Sequence, residues 1–202
     1  MWKIFEKEIS LIKDKHVAGF VKYALTLAPE QFWTAPCSST GKHHPPENNS
    51  KGDLIRHIIK AVSTAYELCN FYGLYNTDKD IVIASTILHD IKKNGEPWVE
   101  YTNVEHGLIA YNWLMGLNGF KTGYENFWRE TIANAVRYHM RRWAKPDSEL
   151  ERAKNPTIIE NIVQLSDFFA SRKGASFLPS ISLTDEQINL YRLEHRLRNN
   201  LP

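Results

Sequence analysis

The sequence predicts an all-α fold in a single domain. Three observations carry this reading: helical periodicity of apolar residues dominates, segments with strand-like alternation are scarce, and no internal repeat is present. The chain has 202 residues, 43% apolar and 24% charged, an ordinary globular composition able to bury one core without covalent staples.

The elements follow in chain order. Ile4, Phe5, Ile9 and Ile12 repeat at helical spacing, and Val17 to Leu27 continue the pattern until Pro29. Thr34 to Lys51 is rich in Ser, Thr, Asn, Pro and Gly and reads as a long loop. Loops of that length in compact domains are usually functional or disordered, and Lys42-His43-His44 within this one favours function. A helix over about Asp53–Tyr72 aligns Leu54, Ile55, Ile58, Ile59, Val62, Ala65, Tyr66 and Cys69 in one stripe. Asn76 to Asp78 offer an N-cap for a helix ending near Lys93. Its Ile-Val-Ile-Ala-Ser-Thr-Ile-Leu run is apolar nearly all round and could be a buried strand by length, but Ala84, Ser85 and the cap favour helix. Further helices are expected at about Asn103–Leu117, Glu125–Met140, Thr157–Arg172 and Thr184–Arg198. Thr184 and Gln187 form a capping-box pattern at the start of the last. Pro146–Pro156 reads as a polar surface excursion. The core is expected over about residues 30–175. The helices of 1–28 and 184–199 flank it, completing the core or pairing with a second subunit as a homodimer.

Composition excludes several classes. The formal charge is +2, so no large nucleic-acid-binding field is evident. Two cysteines, Cys37 and Cys69, are too few for a disulfide framework or a Cys-based zinc site; the first reads as a loop thiol, the second as a core residue. The first residues carry acids early and no apolar signal core, and no stretch approaches 18 apolar residues. A cytoplasmic chain without a membrane partner is therefore expected.

The chemistry sits on histidines and two unusual carboxylates. His57, His89, His106, His139 and His195 fall on or beside helices with apolar faces, and Asp90 follows His89 directly. Asp167 lies inside Ile162-Val-Gln-Leu-Ser-Asp-Phe-Phe-Ala170, where a carboxylate is costly unless paired or bound to a metal. On a helical wheel the stripe from Leu54 covers roughly 0–140°, with His57 near 300° on its shoulder, a place for either a ligand or a core histidine. Each residue taken singly favours a structural role, and His16 and His195 are read as surface residues. The ordered set His57, His89-Asp90, His106, His139 and Asp167 differs. Four imidazoles and two carboxylates from separate helical positions are what a two-metal site in a helical bundle needs, and they suit Mn, Fe, Ni, Co or Zn.

The series resembles the HD superfamily of metal-dependent phosphohydrolases. Gly52-Asp-Leu-Ile-Arg-His57 is similar to the family's Gly-x-Leu-x-x-His lead, and Leu88-His-Asp-Ile-Lys-Lys93 to its Leu-His-Asp-x-x-Lys core. Glu105-His106-Gly107 is similar to a Glu-His-Gly found in several branches, and Ser166-Asp167 with Arg172 to the closing Ala-Asp helix. Phe32-Trp-Thr-Ala-Pro-Cys-Ser-Ser-Thr-Gly-Lys-His-His44 resembles a loop of bacterial HD-domain 3′–5′ exoribonucleases. The chain departs from that branch in its extra Pro-Pro-Glu-Asn-Asn-Ser-Lys stretch, in Asp53 where a second Gly is usual, and in lacking an evident OB-type module.

The resemblance implies an HD-domain helical bundle holding divalent transition metals, two ions, with Mg a further option. His57, His89, Asp90 and Asp167 would hold the first, and His106 and His139 the second, with Asp90 bridging. It implies hydrolysis of a phosphoester of a nucleotide or short oligonucleotide through a metal-bridging hydroxide, two cations standing about 3.5–4 Å apart. Asp90 and Lys93 would be catalytic, Lys93 as a point charge one turn beyond Asp90. Lys42, His43, His44, Arg141 and Arg142 would bind substrate, with Arg137 and Trp143 beside them. The same ligand set also serves HD-fold mixed-valent di-iron oxygenases, and a non-catalytic nucleotide-binding HD module is the third reading.

Overall fold

One helix, buried on every side, organises the molecule. The computed structural model describes residues 2–38, 52–120, 125–143 and 156–172, with backbone alone for 125–127 and Arg142. After a 3-10 turn at Trp2–Phe5 come α1 (Glu6–Ile9), α2 (Lys15–Thr26), α3 (Glu30–Thr34), α4 (Asp53–Tyr72) and α5 (Asn76–Leu88). Then follow α6 (His106–Met115), α7 (Glu125–Tyr138), a 3-10 turn at His139–Trp143, and α8 (Ile158–Ala170). No strand occurs among the described residues, so the all-α expectation holds. The expected helix at 184–198, residues 39–51 of the long loop and most of the Pro146–Pro156 excursion lie outside the described residues.

Every residue of α5 from Asp80 to Leu88 is buried, which explains a sequence apolar nearly all round. Helices α1, α2, α4, α7 and α8 pack against it, and α6 lies on α7. Helix α4 turns its stripe inward, burying Leu54, Ile55, Ile58, Val62, Ala65 and Cys69. Gly73, at φ 72°, ends it by donating to the Asn70 carbonyl, in a backbone region that only Gly enters without strain. Thr157 and Glu160 form a reciprocal capping box at the start of α8.

Two boundaries differ from the periodicity. The stripe through Ile12 and Val17 is broken between Ser10 and Asp14. The buried Asp80 takes the backbone N–H groups of Lys13 (2.9 Å) and Asp14 (2.7 Å), while the Asp14 carboxylate accepts from His16 and Val17 to start α2. Those amides cannot also serve a continuous helix. Helix α5 has no side-chain cap at its start and stops at Leu88 rather than near Lys93. The His89 ring engages the Thr86 carbonyl at 2.7 Å, and the chain continues in three-residue turns, with Ile91 donating to Leu88 and Lys93 to Asp90. Cys37, read as a loop thiol, is buried and donates through Sγ to the Asp53 carbonyl.

Candidate metal centre

All six side chains singled out from the sequence converge where α4, α5, α6, α7 and α8 meet. His57 lies one turn into α4, and His89-Asp90 leave the buried end of α5. His106 opens α6, His139 closes α7, and Asp167 sits in the last turn of α8. His57 Nε2 lies 3.0 Å from Asp167 Oδ1, and His89 Nε2 stands 3.6 Å from the same oxygen and 3.5 Å from Asp90 Oδ2. On the other side, Asp90 Oδ1 is 2.9 Å from His106 Nε2 and 3.8 Å from His139 Nε2, and those two nitrogens are 3.0 Å apart. Lys93 Nζ pairs with Asp90 Oδ2 at 2.5 Å. Two groups with metal-ligand spacing result, His57–His89–Asp167 and His89–Asp90–His139, which share His89. His106 adjoins the second.

One local device aims three of the four rings. His89, His106 and His139 each direct Nδ1 at the carbonyl three residues earlier, of Thr86 (2.7 Å), Asn103 (2.7 Å) and Val136 (2.5 Å). When such a ring is neutral, donation from Nδ1 leaves the lone pair on Nε2, and in each case Nε2 faces the cluster. Gly107 lets α6 come close enough to α7 for this. A Cβ there would stand 2.7 Å from the Arg137 carbonyl oxygen and 3.2 Å from that of Val136, the oxygen that orients His139.

The electrostatics are those of a cation site. Burial alone would raise the Asp90 carboxyl, but Lys93, then His89 and His106, outweigh it and hold it well below the usual carboxylate range. Burial likewise opposes Asp167 ionisation, and His57 and His89 reverse it. Burial, followed by His106 and His89, pushes His139 down to about 3, so its ring is neutral and open to coordination. Burial lowers His57 despite Asp167, whereas for His89 the two carboxylates overcome burial and raise it. Burial works against the Lys93 ammonium, and Asp90 keeps it charged.

The residues fit a divalent metal. His89 Nε2 is fully buried, has no hydrogen-bond partner among the described residues, and points between two carboxylates. With their Nδ1 atoms donating to carbonyls, His106 and His139 turn two lone pairs on each other, which only a proton or a cation between them relieves. Imidazole nitrogen and carboxylate oxygen without thiolate are donors for a catalytic rather than a structural ion.

The remaining expected site residues divide. Lys42, His43, His44 and His195 lie outside the described residues, as does the Arg142 side chain. Arg141 is half-buried and reaches Asn161 (3.3 Å) and Gln164 (3.4 Å) on α8. Trp143 is exposed and leans toward Phe168, and His16 is exposed, as expected. Sequence reasoning missed the three orienting carbonyls, which no side chain encodes, and the close approach at Gly107, for which the Glu-His-Gly motif was the available signal. It also missed that Cys37 lies within electrostatic reach of Lys93 and Asp90.

A family model for the HD domain matches residues 54–171, more than half the chain, with all six converging residues inside the match. The chain belongs to the HD-domain family, whose members bind divalent metals and are mostly metal-dependent hydrolases. No curated protein and no solved structure matches it, and the family match does not extend to the exoribonuclease branch. No helix among the described residues is long and apolar enough to cross a membrane.

Proposed function

We propose that this protein is a metal-dependent phosphohydrolase acting on a phosphoester of a nucleotide or short oligonucleotide. The observation that carries the reading is the convergence of four Nε2 atoms and two carboxylates on one buried point, with a lysine ammonium on its edge. His57, His89 and Asp167 would hold one ion, His106 and His139 a second, with Asp90 between them. Bound there, divalent cations polarise a phosphoryl group and acidify water.

The chain's own residues do the rest. The backbone carbonyls of Thr86, Asn103 and Val136 fix the ring tautomers, so that Nε2 is the atom offered. Asp90 anchors Lys93 beside the cluster, where the ammonium attracts a phosphate oxygen and stabilises the charge gathering on it. Burial of all six side chains keeps bulk water out and strengthens these interactions. Lys42, His43, His44, Arg141 and Arg142 are the proposed contacts to the remainder of the substrate.

Elemental analysis of the purified protein together with phosphate release from a panel of nucleotides and short RNA and DNA tests this. The expected outcome is about two transition-metal ions per chain, with turnover abolished by His89→Ala combined with Asp90→Ala. Asp90→Asn, which preserves shape, should lose turnover with its circular dichroism unchanged. Full activity in either variant would falsify the assignment.

A further inference from the structure

A cavity of about 250 Å³ opens beside the centre, between α3 and the turn segment that follows Asp90. Asp90 and Lys93 contribute to its wall. The other surfaces include Pro29, Phe32, Pro97 and Trp98, so a charged wall at the metal cluster adjoins an apolar, aromatic one. Lys92 and Glu96 line the cavity too, but the Lys92 ammonium is committed within that pair. It pairs with Glu96 at 2.7 Å and lies over the Trp113 ring. Lys93, whose partner is the cluster carboxylate Asp90, is the lysine that borders both cavity and cluster.

Trp98 is 52% exposed, although it stands on a segment that is firmly built. The Asn94 side-chain amide reaches the carbonyls of Val99, Glu100 and Tyr101, and the Asn103 backbone N–H donates to the Lys93 carbonyl. Gly95, at φ 80°, leaves the space that the Asn103 side chain fills, since a Cβ there would lie 2.8 Å from Asn103 Nδ2. An indole held in water on a fixed backbone is a preorganised stacking surface. Across the cavity, Gln31 is half-buried, and its side-chain amide makes no hydrogen bond among the described residues. Such an amide presents a donor and an acceptor together, the pair that matches the edge of a nitrogen heterocycle.

We propose that this cavity is the subsite for a single planar heteroaromatic ring of the substrate, stacked on Trp98 and recognised at its edge by Gln31. Its volume falls just short of the range of drug-sized pockets, about 300–1,000 Å³, and suits one nucleoside better than a run of them. The substrate is accordingly a nucleoside monophosphate, its phosphoryl group toward Lys93. The inference rests on the phosphohydrolase reading for that last step, but not for the ring subsite itself.

Two measurements on the full-length metal-loaded protein test it. The first is the ratio of kcat/KM for adenosine 5′-monophosphate to that for ribose 5-phosphate, in wild type and in Trp98→Ala and Gln31→Ala. Loss of a base-stacking contact should lower this ratio about tenfold in Trp98→Ala, through KM rather than kcat. Gln31→Ala should lower it less. The second is quenching of intrinsic fluorescence by adenosine, which carries no phosphoester, compared between wild type and Trp98→Phe. A quench that disappears with the indole supports the subsite even if no phosphoester is hydrolysed, an outcome that would overturn the hydrolase reading alone. Unchanged ratios together with an unchanged quench, or no quench in wild type, overturn the subsite while leaving hydrolysis standing.

Discussion

At the scale of single residues, the centre is a set of buried polar side chains whose spacing fits a cation. His57, His89, His106, His139, Asp90 and Asp167 were legible because each is a polar residue in an apolar stretch, and because their order matches a known series. Their ring orientations were not legible, because backbone carbonyls set them. Asp167→Ala removes the carboxylate that faces both His57 and His89, so bound metal should fall clearly in elemental analysis, with exposed His16→Ala as the unaffected control. Away from the centre, burial raises the Cys69 thiol from 9.0 to about 12. A raised acid stabilises the fold fully below pH 9; above it the unfolded chain loses its proton first, and stability drains until about pH 12. At about 1.4 kcal/mol per unit, that thiol is worth at most about 4 kcal/mol. Denaturant titrations at pH 8 and pH 11 should therefore show a smaller loss for Cys69→Ala than for wild type, and equal losses would refute the burial argument.

At the scale of elements, the centre depends on where helices stop and how closely they approach. Periodicity located α4, α5, α7 and α8, because each has an apolar face or is apolar throughout. It missed the break after Ser10 and the early end of α5, because side-chain hydrogen bonds from Asp80 and His89 decide both, and hydrophobic spacing carries no trace of them. Gly107→Ala should push α6 off α7, costing about 1–3 kcal/mol as an overpacked contact. The obstacle is backbone, so the helices must separate, and metal content should drop along with the midpoint of urea unfolding. Thr157→Ala, which removes one half of the α8 capping box, should cost about 1 kcal/mol and leave the metal content unchanged. The contrast separates damage to the centre from damage to the fold.

At the scale of the whole molecule, five helices that share one core also share the centre, so occupancy and stability are linked. An ion held at a hundred times its dissociation constant adds about 2.7 kcal/mol, which for a chain of this length raises Tm by roughly 5–10 °C. Chelation should lower Tm by that amount, and adding the metal back should restore it; a Tm indifferent to chelation would remove the cation from the account of stability. The segment from Asn94 to Tyr101 has a different consequence. Its two feet are clamped: Asn103 donates to the Lys93 carbonyl at one end and offers its own carbonyl to the His106 ring at the other. Asn94 and Gly95 serve that clamp, but the side chains of Trp98, Val99 and Tyr101 are exposed and take no part in setting the spacing of ammonium and imidazole. Related chains could thus exchange one preferred substrate for another by rewriting this short stretch, while inheriting the reactive machinery intact.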